Sequence, residues 1–234
     1  MASNAVQPAG TAADSYAHTE RVGFAIFMIL GPLVVLAATI IHPPHGAENG
    51  EEYYQAALDH TTRFYVAHTL FFFGAVTLLP ATVGLARLLH RSHPKAAFWG
   101  LVLSAMGFVG WGAFDGMDFM TYVAGSEKNL DTNTMQTYID DALANTAIVV
   151  PVTVVFALLI IGLCVIGVGL HQAAIIPLWL GLLMPIGVLG ALSFLEYPPL
   201  LIASALLLLV SIGTVGVRQL RAPDATAARA AAPV

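Results

Sequence analysis

The chain has 234 residues, of which 58% are hydrophobic and only 10% are charged, and its formal net charge is −5. Soluble domains carry about 25% charged residues, so this composition excludes an ordinary water-soluble globular protein. The basic residues form no stripe of the kind that nucleic acids require, and a single cysteine, Cys164, excludes an intramolecular disulfide. We therefore expect an all-α integral membrane protein with the lipid bilayer as its first partner and no nucleic-acid partner.

The two ends of the chain differ in composition from the rest. Residues 1–20 are polar and Ala-rich, and they lack the basic region and early apolar core of a cleavable signal peptide. Residues 222–234 are biased toward Ala, Pro and Arg. We predict that both segments are disordered and cytoplasmic, and that residues 21–221 form one transmembrane domain.

Apolar runs within this domain predict six transmembrane helices, because a span needs about 20 apolar residues to cross a hydrocarbon core of roughly 30 Å. The predicted spans are residues 22–41, 62–89, 96–123, two spans within 142–195, and 200–217. The region 142–195 is divided into a helical hairpin because it contains no charged residue and is interrupted by His171-Gln172 and Pro177. Two short extracytoplasmic loop helices are also predicted, over residues 49–58 and 132–144.

The distribution of lysine and arginine predicts the orientation of the spans. Basic residues precede the first span, surround the turn between the second and third, and follow the sixth: Arg21, Arg87, Arg91, Lys95, Arg218, Arg221 and Arg229. These places share one side if the chain crosses six times, and the loops on the opposite side are mostly acidic. The positive-inside rule therefore predicts a multi-pass plasma-membrane protein with both termini in the cytoplasm.

Ionisable residues inside a bilayer are costly, so each one is a candidate for function. The candidates gather toward the outer leaflet: His42, His45, His60, His68, Asp115, Asp118 and Glu196. His68 lies about two turns inside the second span, and Tyr65 precedes it by three residues on the same helix face. Asp115 and Asp118 are also three residues apart and share a face of the third span.

Imidazole and carboxylate groups are suitable ligands for zinc, iron or copper. We therefore predict a metal site for which the candidate ligands are His42, His60, His68, Asp115 and Asp118. Supporting positions around those ligands are predicted for Tyr65, His45 and Glu196. A zinc-dependent intramembrane hydrolase, with a metal-bound water as nucleophile, is a variant of this hypothesis.

A haem is an alternative cofactor for the same histidines. A haem b would take its axial ligands from His42 or His60 together with His68. His90 and His171 lie at predicted inner helix ends and would form a second axial pair. Several other activities are excluded: no lysine lies within a span to form a retinal Schiff base, and neither nucleotide-binding glycine motifs nor a Gly-x-Ser-x-Gly elbow is present.

Specific residues in the first three spans carry a family resemblance. They are His42-Pro43 closing the first span, Tyr65 with His68, Leu79-Pro80, the run 84–89 followed by Pro94, and Asp115-Gly116. By these features the chain resembles a group of uncharacterised six-span integral membrane proteins common in high-GC actinobacteria. The resemblance implies that His42, His68 and Asp115 belong to a shared plan, and it implies no activity.

Three hypotheses for function follow. The first is a metal- or haem-binding, redox-linked membrane protein. The second is a non-enzymatic accessory or scaffold subunit, acting with other membrane subunits or as a homo-oligomer, in which the His/Asp cluster only pins helices together. The third is a proton-coupled carrier in which Asp115 and His68 exchange protons.

Overall fold

The computed structural model describes residues 9–43, 50–127, 131–193 and 197–222, and every regular element in these ranges is helical. The helices are α1 (Ala9–Ile41), α2 (Gly50–Asp59), α3 (Thr61–Leu89), α4 (Pro94–Glu127), α5 (Thr132–Ala144), α6 (Thr146–Gln172), α7 (Leu178–Ser193), α8 (Pro198–Leu208) and α9 (Thr214–Arg221). A π-helical turn, Leu209–Gly213, joins α8 to α9, so that these two helices continue as one rod.

Five of these segments are long and apolar enough to cross a membrane. They are Ser15–Ile41 within α1, Thr61–Leu89, Pro94–Met117 within α4, Thr146–Gln172, and the continuous rod Pro198–Arg221. The hairpin expected within residues 142–195 is present as α6 and α7, which are separated by residues 173–177. However, α7 has only 16 residues, or about 24 Å at roughly 1.5 Å per residue, which is shorter than a typical span.

The N-terminal region differs from the prediction. The helix α1 begins at Ala9, so residues 9–20 are helical where a disordered segment was expected. The physical reason is that the Ala-rich stretch contains no proline after Pro8, and alanine has the highest helix propensity. Helix α1 also continues without a break into the apolar span, which removes the cost of a separate nucleation step. The predicted tail, apart from Ala222, lies outside the described residues.

The long helices form a closed ring. Helix α1 packs against α3, α3 against α4, α4 against α6, α6 against α7, and α7 against α8, while the α8–α9 rod packs back against α1. Apolar side chains fill the centre of the ring, including Met28, Leu85, Leu163, Met184 and Leu208. Large apolar side chains also point outward, a surface that suits lipid as the surrounding solvent.

Three contacts of arginine side chains gather several chain segments at one end of the ring. They are Arg21 donating to the carbonyl of Ala222 (2.7 Å), Arg87 paired with Glu20, and Arg218 donating to the carbonyl of Ile175 (2.8 Å). The part of α1 around Glu20 and Arg21, the end of α3, the α6–α7 turn and the end of α9 therefore lie together, and we call this the basic end. The opposite end carries the loop helices α2 and α5, and we call it the capped end.

Glycines allow the shortest approaches between neighbouring helices. A Cβ atom built on Gly181 of α7 would lie 2.5 Å from the carbonyl oxygen of Gly167 in α6. A Cβ atom on Gly162 of α6 would lie 2.5 Å from the backbone nitrogen of Ser104 in α4. Such backbone-to-backbone contact is typical of membrane helices with small residues at their interface, and it fixes α4, α6 and α7 as one tightly packed wall.

Candidate functional site at the capped end

The loop helices α2 and α5 form a cap over one end of the ring. Buried side chains make a second apolar cluster, separate from the main core, with Tyr54 and Ala57 from α2, Met135 from α5 and Phe64 from the first turn of α3, and the partly buried Ile139 of α5 packs against it. Burial raises the pKa of the Tyr54 hydroxyl, and the negative charge of Asp131 raises it further. The cap is thus attached to the ring through Phe64.

Helix α5 begins with a side-chain cap that is formed by Asp131, the residue before Thr132. The carboxylate of Asp131 accepts a hydrogen bond from the Thr134 hydroxyl (2.6 Å) and another from the Thr134 backbone amide (3.0 Å). Both bonds stabilise the charged carboxylate and lower the pKa of Asp131, and the bond from the Thr134 hydroxyl has the larger effect. This is the usual arrangement by which aspartate begins a helix, and it stabilises the first turn of α5.

Two of the predicted ligands meet beneath this cap. The ring of His42, at the end of α1, lies 5.2 Å from the ring of His68 in α3, centroid to centroid, with an angle of 52° between their planes. Phe64 stacks on His68 at 3.9 Å, and Phe71 lies 5.9 Å from His42 and 6.1 Å from His68. We call His42 and His68 the histidine pair; His68 is 4% exposed and His42 is half-buried.

Backbone carbonyls orient both rings of the histidine pair. Nδ1 of His68 lies 3.0 Å from the carbonyl oxygen of Phe64, and Nδ1 of His42 lies 3.0 Å from that of Pro43. A carbonyl oxygen can only accept a hydrogen bond, so Nδ1 carries the proton in both rings. In the neutral imidazole the lone pair is then on Nε2, which is the form in which histidine usually binds a metal ion.

Arg63 holds the end of α1 against the start of α3. Its Nε donates to the carbonyl of Ile41, and Nη2 lies 3.4 Å from the carbonyl oxygens of Ile40 and His42. The last carbonyls of a helix have no partner within the helix, and a cation there is favourable. Arg63 therefore fixes where α1 ends and, with it, the position of His42.

The other predicted ligands lie in different surroundings. Asp115 is 7% exposed in α4, whereas His60 is exposed at the N-cap of α3. Tyr65 is 48% exposed and packs on Phe119 at 4.4 Å. Asp118 belongs to α4, but its side chain lies outside the described part of the structure, as do His45 and Glu196 altogether.

The candidate metal cluster is therefore not assembled as a whole. Within the ranges that the structure describes, no three His, Cys, Asp or Glu side chains form a group that could hold a metal ion. Of the predicted set, His42 and His68 are in ring contact. At the basic end, His90 and His171 are both exposed, and among the described residues no ring contact joins them, so the second axial pair has no structural support.

Sequence reasoning missed three residues around the histidine pair. Arg63, Phe64 and Phe71 were not assigned to the site. Phe64 and Phe71 stand four residues before and three after His68, a spacing that places them on its helix face. Arg63 is one of two cations among the otherwise acidic loops of the capped end. That scarcity was the sequence signal that could have identified its role.

Comparison with known proteins finds no matching family model, no significant match among curated proteins and no matching solved structure. The function therefore has to be inferred from the residues of this chain.

Proposed function

We propose that the chain is a six-span protein of the plasma membrane with both termini in the cytoplasm, and that its histidine pair binds one transition-metal ion near the outer leaflet. The single observation that carries the metal site is the approach of two imidazole rings to 5.2 Å with both Nδ1 atoms on backbone carbonyls. The ion would be zinc, copper or iron, the metals for which imidazole is a suitable ligand.

The topology is supported by connectivity and by charge. The two ends of the helical chain are joined by the contact of Arg21 with Ala222, so an even number of crossings brings the chain back to its starting side. That requirement favours α7 as a sixth crossing despite its length, since a bilayer can thin locally around a short span at modest cost. The basic end carries the exposed cations Arg91, Lys95 and Arg221, which by the positive-inside rule faces the cytoplasm.

Cysteine labelling tests the topology directly. In a Cys164→Ser background, Tyr197→Cys places a thiol between α7 and α8, where the native side chain is 57% exposed, and Leu220→Cys places one at the end of α9. A membrane-impermeant maleimide added to intact cells should label the first and not the second. Labelling of both from outside, or of the second alone, would refute the proposed orientation.

The distance between the two rings favours a single ion over a haem held between them. Two imidazoles on one tetrahedral ion have centroids about 5 Å apart, because each metal–nitrogen bond is about 2.1 Å long. Axial histidines of a haem stand on opposite faces, about 6 Å apart with the flat macrocycle between them. The observed 5.2 Å agrees with the first arrangement, and Phe64 and Phe71 occupy the space beside the rings.

Two imidazoles leave the ion with open positions. Water or a carboxylate would complete the coordination, and the predicted candidates are Asp115 and Asp118 of α4. A redox role follows if the ion is copper or iron, whereas zinc would activate a bound water for hydrolysis. The buried aromatic rings would limit access of bulk water to the ion.

Metal content and the visible spectrum of the purified protein test this proposal. In mild detergent, we expect about one metal ion per chain, lost in both His42→Ala and His68→Ala. His90→Ala is the matched control, because His90 is exposed at the opposite end of the ring, and it should keep the metal. A Soret band would favour haem, and a folded wild-type protein without metal before and after incubation with zinc or copper would refute the metal site.

A scaffold subunit is the second candidate function. It is favoured by the close stacking of Phe64 on His68 and by the absence, among the described residues, of a three-ligand group. In that case His68→Ala should lower the unfolding temperature of a metal-free protein. The proton-coupled carrier has less support, since the buried hydroxyls of Thr82, Ser204 and Ser211 bond carbonyls of their own helices rather than forming a polar path.

A further inference from the structure

A groove lies on the outside of the ring near the basic end, between the start of α4 and the last turns of α6. Its volume is about 280 Å³, and it is lined by Ala96, Cys164, Val165, Val168, Gly169 and Gln172. We call it the α4–α6 groove. The histidine pair lies beneath the cap at the opposite end of the ring, and the proposed metal site makes no use of the groove.

The groove has the length and lining of a site for a hydrocarbon chain. Its wall on α6 runs from Cys164 to Gln172, which is about 12 Å at roughly 1.5 Å per residue. One leaflet contributes about 15 Å of hydrocarbon, so the groove follows most of the depth of one leaflet. Four of its six lining residues have apolar or thiol side chains, Gly169 has none, and Gln172, at the end nearest the α6–α7 turn, is polar.

The polar end of the groove lies at the level of the α3–α4 turn. A Cβ atom on Gly169 would lie 3.0 Å from Cδ1 of Leu89 and 3.2 Å from Cβ of Ala96, so this part of α6 packs against the residues on either side of that turn. Arg91 in this turn and Lys95 in the first turn of α4 are both exposed, and residues 90–95 include no acidic residue. Lys95 is adjacent in sequence to the groove-lining Ala96.

We propose that the α4–α6 groove binds one anionic phospholipid, with an acyl chain along α6 and the phosphate held by Lys95 and Arg91. An apolar slot whose polar end lies at the level of a turn with exposed cations matches the two parts of such a lipid, and basic pockets between membrane helices commonly bind anionic headgroups. Lys95 lies in the first turn of α4, where the helix dipole also favours a negative group. The acyl chain of a zwitterionic lipid would also fit the slot, but its headgroup carries no net negative charge to balance Lys95 and Arg91.

Native mass spectrometry of the full-length protein in detergent tests the site, with phosphatidylglycerol and phosphatidylcholine of identical acyl chains supplied in equal amounts. The wild type should retain one phosphatidylglycerol in preference to phosphatidylcholine. Lys95→Gln should reduce that preference about fivefold, the ratio expected for one cation near an anionic headgroup. Arg221→Gln is the matched control, because it removes the same charge from α9, which does not line the groove.

A second pair of variants tests the slot for the acyl chain. Val168→Phe adds a ring inside the groove and should prevent retention of the lipid. Ile161→Phe adds the same group on a 51% exposed position of α6 outside the groove and should leave retention unchanged. An unfolding temperature is measured for each variant, and should Val168→Phe fold poorly, the Lys95→Gln comparison still decides.

Three results would overturn the proposal. Equal retention of the two lipids by the wild type would mean that the groove does not distinguish lipids by the charge of their headgroups. An equal loss in Lys95→Gln and Arg221→Gln would mean that only the overall charge matters. Retention of phosphatidylglycerol by a well-folded Val168→Phe would place the lipid elsewhere.

Discussion

Removal of the Phe64 ring should release the cap from the ring of helices. Phe64 is 3% exposed, belongs to the cap cluster with Tyr54 and Met135, and stacks on His68. Truncation of a buried phenylalanine to alanine costs about 3–5 kcal/mol. Because the lost contacts join the cap to α3, we expect most of this cost to appear as local opening of α2 and α5 rather than as unfolding of the ring.

Hydrogen exchange measured by mass spectrometry would detect this local opening in Phe64→Ala. A loss of about 3 kcal/mol corresponds to more than a hundredfold change in the opening equilibrium, so amides of α2 and α5 should exchange at least about a hundred times faster. Amides at the α4–α6 interface should be unaffected. Phe73→Ala removes the same ring from a 51% exposed position and should leave the cap unchanged. Unchanged exchange in α2 and α5 of Phe64→Ala would refute the attachment of the cap through Phe64.

Three further predictions concern packing and charge. Gly181→Ala should lower the unfolding temperature through a loss of about 1–3 kcal/mol by overpacking, because its Cβ would meet a backbone carbonyl of α6; Gly116→Ala, whose Cβ meets nothing within 4 Å, should not. The pKa of Asp131 is lowered in the folded state, so its contribution to α5 is present above the unfolded-state pKa and is lost as pH falls through the folded-state pKa. Asp131→Asn can still accept a hydrogen bond from Thr134, so the protection factors of the α5 amides, which correct for the intrinsic pH dependence of exchange, should no longer fall at acid pH. Protection factors that fall with pH as in the wild type would contradict this. Arg63→Gln should weaken the end of α1 by about 0.3–1 kcal/mol, seen as faster exchange there and not in α6.

The helical architecture was largely predictable from hydropathy. The division of residues 142–195 into two helices is confirmed, with α6 ending at Gln172 and α7 beginning at Leu178, because a polar His-Gln pair and a proline together end an apolar helix. Hydropathy could not predict the details of that turn, where Ala174 adopts a positive φ of 56°, a conformation that glycine normally supplies. It also missed the helical residues 9–20, since a polar, Ala-rich segment reads as disordered unless a long helix continues from it.

The site was predictable only in part, for a different physical reason. The cost of burying ionisable groups in a membrane drew attention to His68 and Asp115, and both are buried. Which groups meet depends on the rotation of each helix and on the end of α1, and these are set by interhelical contacts such as Arg63 with Ile41 that leave no periodic signal in the sequence. The spacing of candidate ligands along the chain was therefore a weaker guide to which of them meet than the local environment of each ring.

That environment bears on the choice between a metal site and a scaffold. A histidine that holds two helices together does so through hydrogen bonds that cross from one helix to the other, and each such bond contributes about 1 kcal/mol net. In the histidine pair, both Nδ1 atoms instead bond backbone carbonyls of nearby residues, Phe64 and Pro43, so these two bonds join neither helix to the other. The contact between α1 and α3 at this level is made by the rings themselves and by Arg63, which already supplies the structural link. The two Nδ1 bonds therefore orient rings whose centroids are 5.2 Å apart, and this fixed orientation is the physical reason for ranking metal binding first.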